Sequence, residues 1–444
     1  MFNPQRTPEE HLKDVLDRVE PLETMTAPTV EAVGLALAED VEARLAIPPF
    51  SNSAMDGYLV NSADLPAIQS EEVRVEKLDK PVELSVAGEV AAGDSPQRPE
   101  PGSAVRIMTG APVPSEFDGL FVVPVEYTDA TAGPSDLPDR VAVHTVSRMP
   151  NIRRVGDDIT PTDIVARAGT VIDAATQAAL LSAGVPEVTV HRAPRVAVVS
   201  SGAELITFDG AEASDDLEHM TPGKLPDSNG PMLESLASGL AAATVTRESC
   251  TDDPQRMSEL FDRLSEEHDL IITSGGVSTG AYDVVREVLT NGGEDVFFGE
   301  VSQKPGAPQG LGSWKGTPVI GLPGNPVAAF MGFQLYASAA IARLRGLRPG
   351  TDLTVRPHFS AMAGSEFYPA RDRTSFVPVR LFYGDAEAPN PVATPYHRSG
   401  FGSHRIGGMV GTRGYAMLEP TETVLPGDSI TIYDFPYRGM ARKK

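Results

Sequence analysis

The sequence predicts a multidomain protein of α/β and β architecture, organised around a central, doubly wound α/β domain. Its 444 residues exceed what one hydrophobic core normally holds. Between residues 194 and 345, apolar strand patterns alternate with amphipathic helix patterns, which is typical of right-handed βαβ crossovers and a mostly parallel sheet. Residues from about 50 to 145 and from about 350 to 444 carry short β patterns separated by Pro and Gly, so we expect β domains there.

Helical patterns are predicted near the beginning of the chain. A capping-box sequence at Thr7 and Glu10 predicts a helix that extends to Leu22. A second amphipathic pattern over residues 29–43 predicts another helix, which the two prolines within residues 47–50 would end.

Composition and charge exclude several classes of protein. The net charge of −24 argues against a general nucleic-acid binder, because a phosphate backbone needs a basic surface. The polar, acidic first residues do not resemble a signal peptide, and we see no apolar run long enough for a bilayer, so we expect a cytoplasmic protein without membrane spans. The single cysteine, Cys250, is best interpreted as a small apolar side chain at a strand end.

Three loops in the α/β region follow strand patterns and are rich in Gly, Ser and Pro. Ligands collect at the carboxyl ends of parallel strands, and glycine lets the backbone approach them. One such loop alone is better explained by a turn, but three at one sheet edge favour a binding site, and none matches an NTPase P-loop or a dinucleotide motif. Besides the first loop at residues 200–202, the predicted binding residues are Ser274, Gly275, Gly276, Ser278, Pro323, Gly324, Asn325 and Pro326.

Carboxylates stand next to these loops. Taken alone, Asp252 is best interpreted as a helix cap, Glu204 as a first-turn residue that matches the helix dipole, and Lys304 as a surface charge. Taken together with Asp283, these residues could form a site in which carboxylate oxygens hold Mg²⁺ and a phosphate is neutralised. Glu204 and Asp283 would be the metal ligands. Asp56 lies in a segment that by itself predicts only a tight turn.

Several longer motifs resemble one family. Residues 48–58, Pro-Pro-Phe-x-x-Ser-Ala-Met-Asp-Gly-Tyr, are similar to the signature of the MoeA proteins and the gephyrin E domain, the molybdopterin molybdenumtransferases. Residues 151–159 resemble the second motif of that family. Further matches in the same order stand at residues 227–229, 273–278, 304–306 and 321–326. The resemblance extends over essentially the whole chain.

The resemblance implies an elongated homodimer whose subunit has four parts. A helical segment I would contain an inserted β domain II, and a molybdopterin-binding α/β domain III would precede a C-terminal β-barrel IV. The corresponding residues are 1–45 and 146–178 for segment I, 46–145 for domain II, 179–345 for domain III and 346–444 for domain IV.

The resemblance also implies an activity: insertion of molybdate into adenylylated molybdopterin, with release of AMP, formation of molybdenum cofactor, and help from Mg²⁺ or a similar divalent cation. The cleft would lie between domain III and the partner subunit's first two domains. A molybdopterin adenylyltransferase and molybdoenzymes would be further partners. Carried over position by position, the catalytic residues would be Asp56, Asp158, Glu204, Asp252, Asp283 and Lys304, with Pro323 and Pro326 shaping the loop beside the pterin.

Four positions depart from the family pattern. Ala203 and Ala281 replace acids, and Glu300 and Ala307 replace basic residues. A second hypothesis is therefore a catalytically weakened protein that binds or delivers molybdopterin. A third, a molybdopterin adenylyltransferase, is disfavoured because such a protein does not need the first and last domains. The sequence does not choose between molybdate and tungstate.

Overall fold

A computed structural model describes residues 6–66, 74–133, 135–207, 222–240, 244–277, 283–384, 391–397 and 402–435. Ser278, which we predicted as a binding residue, and Ala281 lie outside these residues.

The N-terminal part combines one sheet of five strands with several smaller sheets. Its elements in chain order are α1 Pro8–Asp17, β1 Thr24–Pro28, β2 Ala36–Leu37, β3 Val41–Glu42, β4 Asn52–Ser53, β5 Gly57–Asn61, β6 Val75–Val90, β7 Ser103–Ile107, β8 Leu120–Pro124, β9 Arg140–Ser147, β10 Ile152–Arg153, β11 Ile164–Ala166, α2 Ala174–Ser182 and β12 Glu187–His191.

Helix α1 begins with the predicted capping box. The Thr7 hydroxyl accepts a hydrogen bond from the Glu10 backbone N–H at 3.1 Å, and the Glu10 carboxylate accepts from the Thr7 N–H at 2.9 Å. The second predicted helix, over residues 29–43, is wrong. This stretch instead turns at Gly34, whose φ is +90°, and contributes β2 and β3 to small sheets. Pairing with strands far along the chain therefore overrides the local amphipathic pattern.

Strand β12 lies between β1 and β2 in an antiparallel sheet of three strands. Leu180 of α2 and Val188 and Val190 of β12 share a hydrophobic core with Ala27 and Leu37. Residues up to 191 therefore pack with the beginning of the chain, and the boundary that we predicted at residue 179 divides this core.

The β-rich character predicted for residues 46–145 is confirmed. Five strands form one sheet in the order β8-β5-β7-β6-β9. On either side of it in the chain, β4 and β10 pair antiparallel, with Ser53 opposite Ile152 and Asn52 opposite Arg153. This short ladder holds the entry and the exit of the inserted sheet together.

The central α/β unit contains the alternating elements that the sequence predicts. They are β13 Arg195–Ser201, β14 Leu205–Ile206, β15 Leu225–Pro226, α3 Asn229–Gly239, β16 Thr244–Cys250, α4 Pro254–Glu267, β17 Leu270–Ser274, α5 Val284–Gly292, β18 Glu294–Glu300, β19 Gln303–Lys304, β20 Pro308–Trp314, β21 Thr317–Leu322 and α6 Pro326–Leu344.

Six of these strands form a sheet in the order β16-β13-β17-β21-β20-β18. The first four are parallel, which confirms the doubly wound core, whereas β20 and β18 run antiparallel at one edge. The sequence analysis did not predict this edge hairpin, because the Gly- and Pro-containing segment of β20 lacks a regular β pattern.

Helix α6 is long and apolar, with a π-helical turn at Phe333–Ala337. Among the described residues it is the one helix whose length and composition would allow a membrane span, which is weak evidence by itself. Its most apolar window is 83% buried, and it packs in the largest hydrophobic core together with α1. It is therefore a core helix of this fold.

The C-terminal part is a closed barrel, as predicted. Its strands are β22 His358–Ala363, β23 Thr374–Phe382, β24 Val392–Pro395, β25 Thr412–Leu418 and β26 Ser429–Asp434. Strand β23 pairs with both β24 and β25, so that the order β23-β24-β22-β26-β25 returns to its start. The short β19 of the α/β unit adds to the barrel beside β23, which joins the two units.

His11 of α1 is fully buried against α6. Its ring contacts Tyr336 edge-on, with 4.6 Å between the ring centroids, and neither ring nitrogen has a hydrogen-bond partner in the part of the chain that the structure describes. Burial, assisted by the charges of Arg6 and Arg18, lowers the pKa of His11 from 6.5 to about 3. The folded protein therefore keeps this histidine neutral.

We expect the protein to lose stability as the pH falls from 6.5 towards 3, because in this window the unfolded chain binds a proton at His11 that the folded chain rejects. The difference from neutral pH is about 3 kcal/mol at pH 4. His11→Phe should remove this part of the pH dependence, measured as the shift of the urea unfolding midpoint. His358→Gln, at an exposed position, is the control. A His11→Phe midpoint that falls as steeply as that of the wild type contradicts the prediction.

Candidate active site

The carboxyl ends of β13, β17 and β21 open into a cavity of about 780 Å³. All three predicted strand-end loops reach it, as expected for a parallel sheet. Of the predicted site residues it is lined by Glu204, Asp252, Ser274, Gly275, Gly276, Asp283, Pro323, Gly324, Asn325 and Pro326.

Gly275 determines how closely the loops approach one another. Its φ is +92°, and a Cβ atom at this position would lie 2.6 Å from the Ser201 carbonyl oxygen. Its N–H donates to the Leu322 carbonyl at 3.0 Å. Any side chain here would therefore push the ends of β13 and β17 apart.

Asn229, the first residue of α3, connects the loop at Ser274 with the loop at Gly324. Its side-chain amide donates to the Ser274 hydroxyl at 2.8 Å and to the Gly324 carbonyl at 2.7 Å. The neighbouring Asp227 accepts from the Gly230 N–H at 2.9 Å. Residues 227–229 stood out as a motif in the sequence, but our site prediction did not include them.

Several buried polar atoms of this cavity have no hydrogen-bond partner within the described ranges. They are the hydroxyls of Ser200 and Ser201 and the Oδ1 atom of Asn229. A buried polar group without a partner costs about 1–3 kcal/mol. Such groups in a cavity wall indicate that a polar ligand completes the bonding there.

The carboxylates divide into structural and cavity-lining groups. Asp253 caps α4, because its Oδ1 accepts from the N–H groups of Gln255 at 2.9 Å and Arg256 at 3.2 Å. The structural interpretation of Asp252 as the cap is therefore wrong. Asp252 instead accepts from the Ala203 N–H at 3.1 Å and lines the cavity. Asp283 also lines the cavity; it is the N-cap residue of α5, but its side chain makes no capping hydrogen bond.

Lys304 lies in a second cavity, of about 690 Å³, and not in the first. This second cavity is bounded by the barrel, which contributes Arg371 and Arg373. Gly306, Ser403 and His404 line both cavities, so the two adjoin. The sequence analysis missed the barrel residues, because they stand about 70 to 100 positions after Lys304 and carry no motif of their own.

The second cavity has an excess of positive charge. Among its described lining residues, three carry a fixed positive charge and one, Asp372, a negative charge. The Asp372 carboxylate lies 2.7 Å from the Arg373 guanidinium and, with a smaller contribution from Glu300, raises the pKa of Arg373. This cavity therefore suits an anion.

Asp56 and Asp158 lie outside both cavities, in the N-terminal part. The Asp56 Oδ1 atom accepts from the N–H and the hydroxyl of Thr109, each at 2.7 Å, and these bonds lower the pKa of Asp56. The Asp158 N–H donates to the Ile47 carbonyl at 2.9 Å. The antiparallel β4–β10 ladder lies between them, with Asp56 beyond its Ser53 end and Asp158 beyond its opposite end.

No group of three or more His, Cys, Asp or Glu side chains is arranged to hold a metal ion within the described residues. The predicted metal ligands Glu204 and Asp283 do line the same cavity. Two carboxylates are a set that Mg²⁺ accepts when phosphate oxygens of a substrate complete its shell. The residues present therefore fit a metal that binds together with its substrate.

Comparison with known families divides the chain in the same way as the fold. Residues 6–184 match the MoeA N-terminal region (domain I and II), residues 197–343 match the family described as "Probable molybdopterin binding domain", and residues 360–435 match the MoeA C-terminal region (domain IV). Two of the three matched regions thus belong to MoeA proteins by description.

Curated relatives extend over most of the chain. Molybdopterin molybdenumtransferase 2 of Mycobacterium tuberculosis is 34% identical over 84% of this chain and 86% of its own, and molybdopterin molybdenumtransferase of Haemophilus influenzae is 32% identical over 91% and 92%. A solved molybdopterin biosynthesis MoeA protein from Pyrococcus horikoshii has the same fold, with a TM-score of 0.73 at 24% identity over 97% of this chain and 100% of its own. The chain belongs to the MoeA family of molybdopterin molybdenumtransferases.

Proposed function

We propose that this protein is a transferase that inserts molybdate into adenylylated molybdopterin, with release of AMP and formation of molybdenum cofactor. The observation that carries the proposal is the pair of adjoining cavities, one formed by glycine-rich strand ends with unpartnered polar groups and the other lined by cations. The names of the curated relatives support the same reaction. The hypothesis of a protein that only binds or delivers molybdopterin is not favoured.

The first cavity would bind the phosphorylated pterin. The N–H groups and hydroxyls of the strand-end loops donate hydrogen bonds without adding charge, and Asn229 fixes the loops relative to one another. Glu204 and Asp283 would hold Mg²⁺ or a similar divalent cation, which supplies a Lewis acid for the phosphoanhydride bond. Asp252 keeps the 202–204 turn in place through its bond to Ala203.

The second cavity would bind molybdate, an anionic substrate. Lys304, Arg371 and Arg373 surround it with positive charge. These charges would compensate for the two basic residues of the family pattern that are replaced by Glu300 and Ala307. The barrel thus supplies charge that the α/β unit lacks.

A second copy of the chain would supply Asp56 and Asp158. These acids lie outside both cavities of their own chain, and the proposed homodimer would bring them to the partner's cavity. A homodimer with one shared cleft per subunit has the closed symmetry that most oligomers show. The proposal includes a cytoplasmic location, which the single Cys250 supports, because oxidising compartments favour paired cysteines. A molybdopterin adenylyltransferase and molybdoenzymes are proposed as further partners.

Purified protein mixed with adenylylated molybdopterin, molybdate and Mg²⁺ should release AMP and form molybdenum cofactor. Asp283→Asn should lower the rate by about 100-fold, because it removes a charge beside the phosphates while keeping the shape of the side chain. Glu287→Gln, on the exposed first turn of the same helix, is the matched control and should leave the rate unchanged. Release of AMP no faster than without protein refutes the proposed function.

Mixed dimers test the shared cleft. Asp56→Asn and Asp283→Asn should each be nearly inactive alone, whereas subunits exchanged between the two variants should regain about a quarter of the wild-type rate. When equal amounts of the two variants reassociate at random, half of the dimers contain one subunit of each variant. In each of these dimers, one of the two clefts has both Asp56 and Asp283 unchanged. The regained AMP release is measured after mild dissociation and reassociation. No recovery, with subunit exchange shown by a tagged chain, would contradict a cleft completed by the partner.

Arg373→Gln should raise KM for molybdate about tenfold, because it removes a charged hydrogen-bond donor from the second cavity. The KM for adenylylated molybdopterin should stay near its wild-type value, since that substrate is assigned to the first cavity. Steady-state AMP release at varied molybdate measures both constants. Arg140→Gln removes an exposed arginine from β9 and serves as the control. Equal changes in both KM values would refute separate sites.

A further inference from the structure

Lys304, Pro305 and Gly306 form a loop where three parts of the fold meet, which we call the 304–306 loop. On one side, β19 pairs with the barrel strand β23, with Lys304 opposite Ser375. On another, a Cβ atom at Gly306 would lie 3.2 Å from the Cβ atom of Ala328 in α6. Just before the loop, the backbone of Arg6 pairs with that of Val301. A shift in this loop would therefore alter both cavities.

A buried pair of side chains lies beneath the loop. Gln303 is 1% exposed and Tyr336 of α6 is fully buried. The Tyr336 hydroxyl donates to the Oε1 atom of Gln303, and the Nε2 atom of Gln303 donates to the Pro305 carbonyl at 3.0 Å. Because the hydroxyl occupies Oε1, the amide has one orientation, with its donor towards the loop.

The direction of this short chain of hydrogen bonds is fixed. Burial raises the pKa of Tyr336 well above its usual value, so the hydroxyl remains a donor. The edge-on contact with His11 holds the tyrosine ring from the other side. The orientation of Gln303 is thus set by the N-terminal helix and by α6 together.

A second buried amide acts on the next carbonyl of the loop. Gln309 is fully buried, and its Nε2 atom donates to the Gly306 carbonyl at 2.7 Å. Two consecutive carbonyls, those of Pro305 and Gly306, are therefore held towards the protein interior by side-chain amides. The other side of the loop lines the two cavities.

We propose that Gln303 and Tyr336 are positioning residues: together they set the conformation of the 304–306 loop and, through it, the affinity of the second cavity for its anionic substrate. Tyr336 lines neither cavity, and Gln303, which borders the second cavity, is 1% exposed. Its amide is engaged by the Tyr336 hydroxyl and the Pro305 carbonyl, so we assign both residues an effect through Lys304 and Gly306. The inference rests on the proposed function for the identity of that substrate, molybdate.

Gln303→Met tests the proposal, because methionine keeps the length of the side chain and removes both hydrogen bonds. We expect KM for molybdate to rise about tenfold while kcat changes less than about twofold, since the reacting groups are untouched. Tyr336→Phe, which removes only the hydroxyl, should raise KM about threefold, and it should add nothing in the Gln303→Met background.

Gln177→Met is the matched control. Its amide also holds two backbone carbonyls, those of Thr29 and Val30 at 3.1 Å each, but in the N-terminal part. We expect no change of KM in this variant. A KM for molybdate in Gln303→Met within about twofold of the wild type, or a parallel loss of kcat in both glutamine variants, overturns the proposal.

A second measurement does not depend on activity. Hydrogen exchange of the peptide that covers residues 301–309 should be faster in Gln303→Met and in Tyr336→Phe than in the wild type, with exchange in β25 and β26 unchanged. Unchanged exchange at 301–309 would overturn the positioning role. If the wild type releases no AMP but the exchange rises, the proposed function fails while the positioning of the loop stands.

Discussion

The close approach of neighbouring strand ends is the constraint on which the site depends. At Gly275 the backbone passes so near to β13 that a Cβ atom would meet the Ser201 carbonyl at 2.6 Å, while its N–H bonds to the end of β21. Because the three strands are drawn together at this point, the single amide of Asn229 can reach both Ser274 and Gly324. The shape of the cavity wall at this point therefore follows from the sheet.

Much of this arrangement could be predicted from local sequence, because it is encoded by local signals. The capping box at Thr7, the alternating elements of the α/β unit and the loops at Ser274 and Pro323 depend on residues close together in the chain. The carboxylates Glu204 and Asp283 followed from the same logic, since each stands just after a strand or just before a helix. The resemblance to a family then supplied Asp56 and Asp158, which no local pattern distinguishes from turn residues.

The features that could not be predicted all depend on distant parts of the chain. Residues 29–43 have an amphipathic helix pattern, but β12, more than 140 positions later, pairs with β2 and keeps this segment extended. The charges of Arg371 and Arg373 reach the second cavity only because β19 adds to the barrel beside β23. The role of Asn229 was visible as a motif, yet its two bonds depend on how far the strand ends lie from one another.

The short pairing of β19 with the barrel has a consequence for the history and the engineering of such proteins. The α/β unit supplies most of the lining of the first cavity, to which the C-terminal part adds Ser403 and His404, whereas the C-terminal part supplies most of the lining of the second cavity. Gain or loss of this one small β domain would thus add or remove the second cavity while most of the lining of the first stays in place. A recombined chain with another domain on the same edge would have a differently lined second cavity, which could bind a different anion.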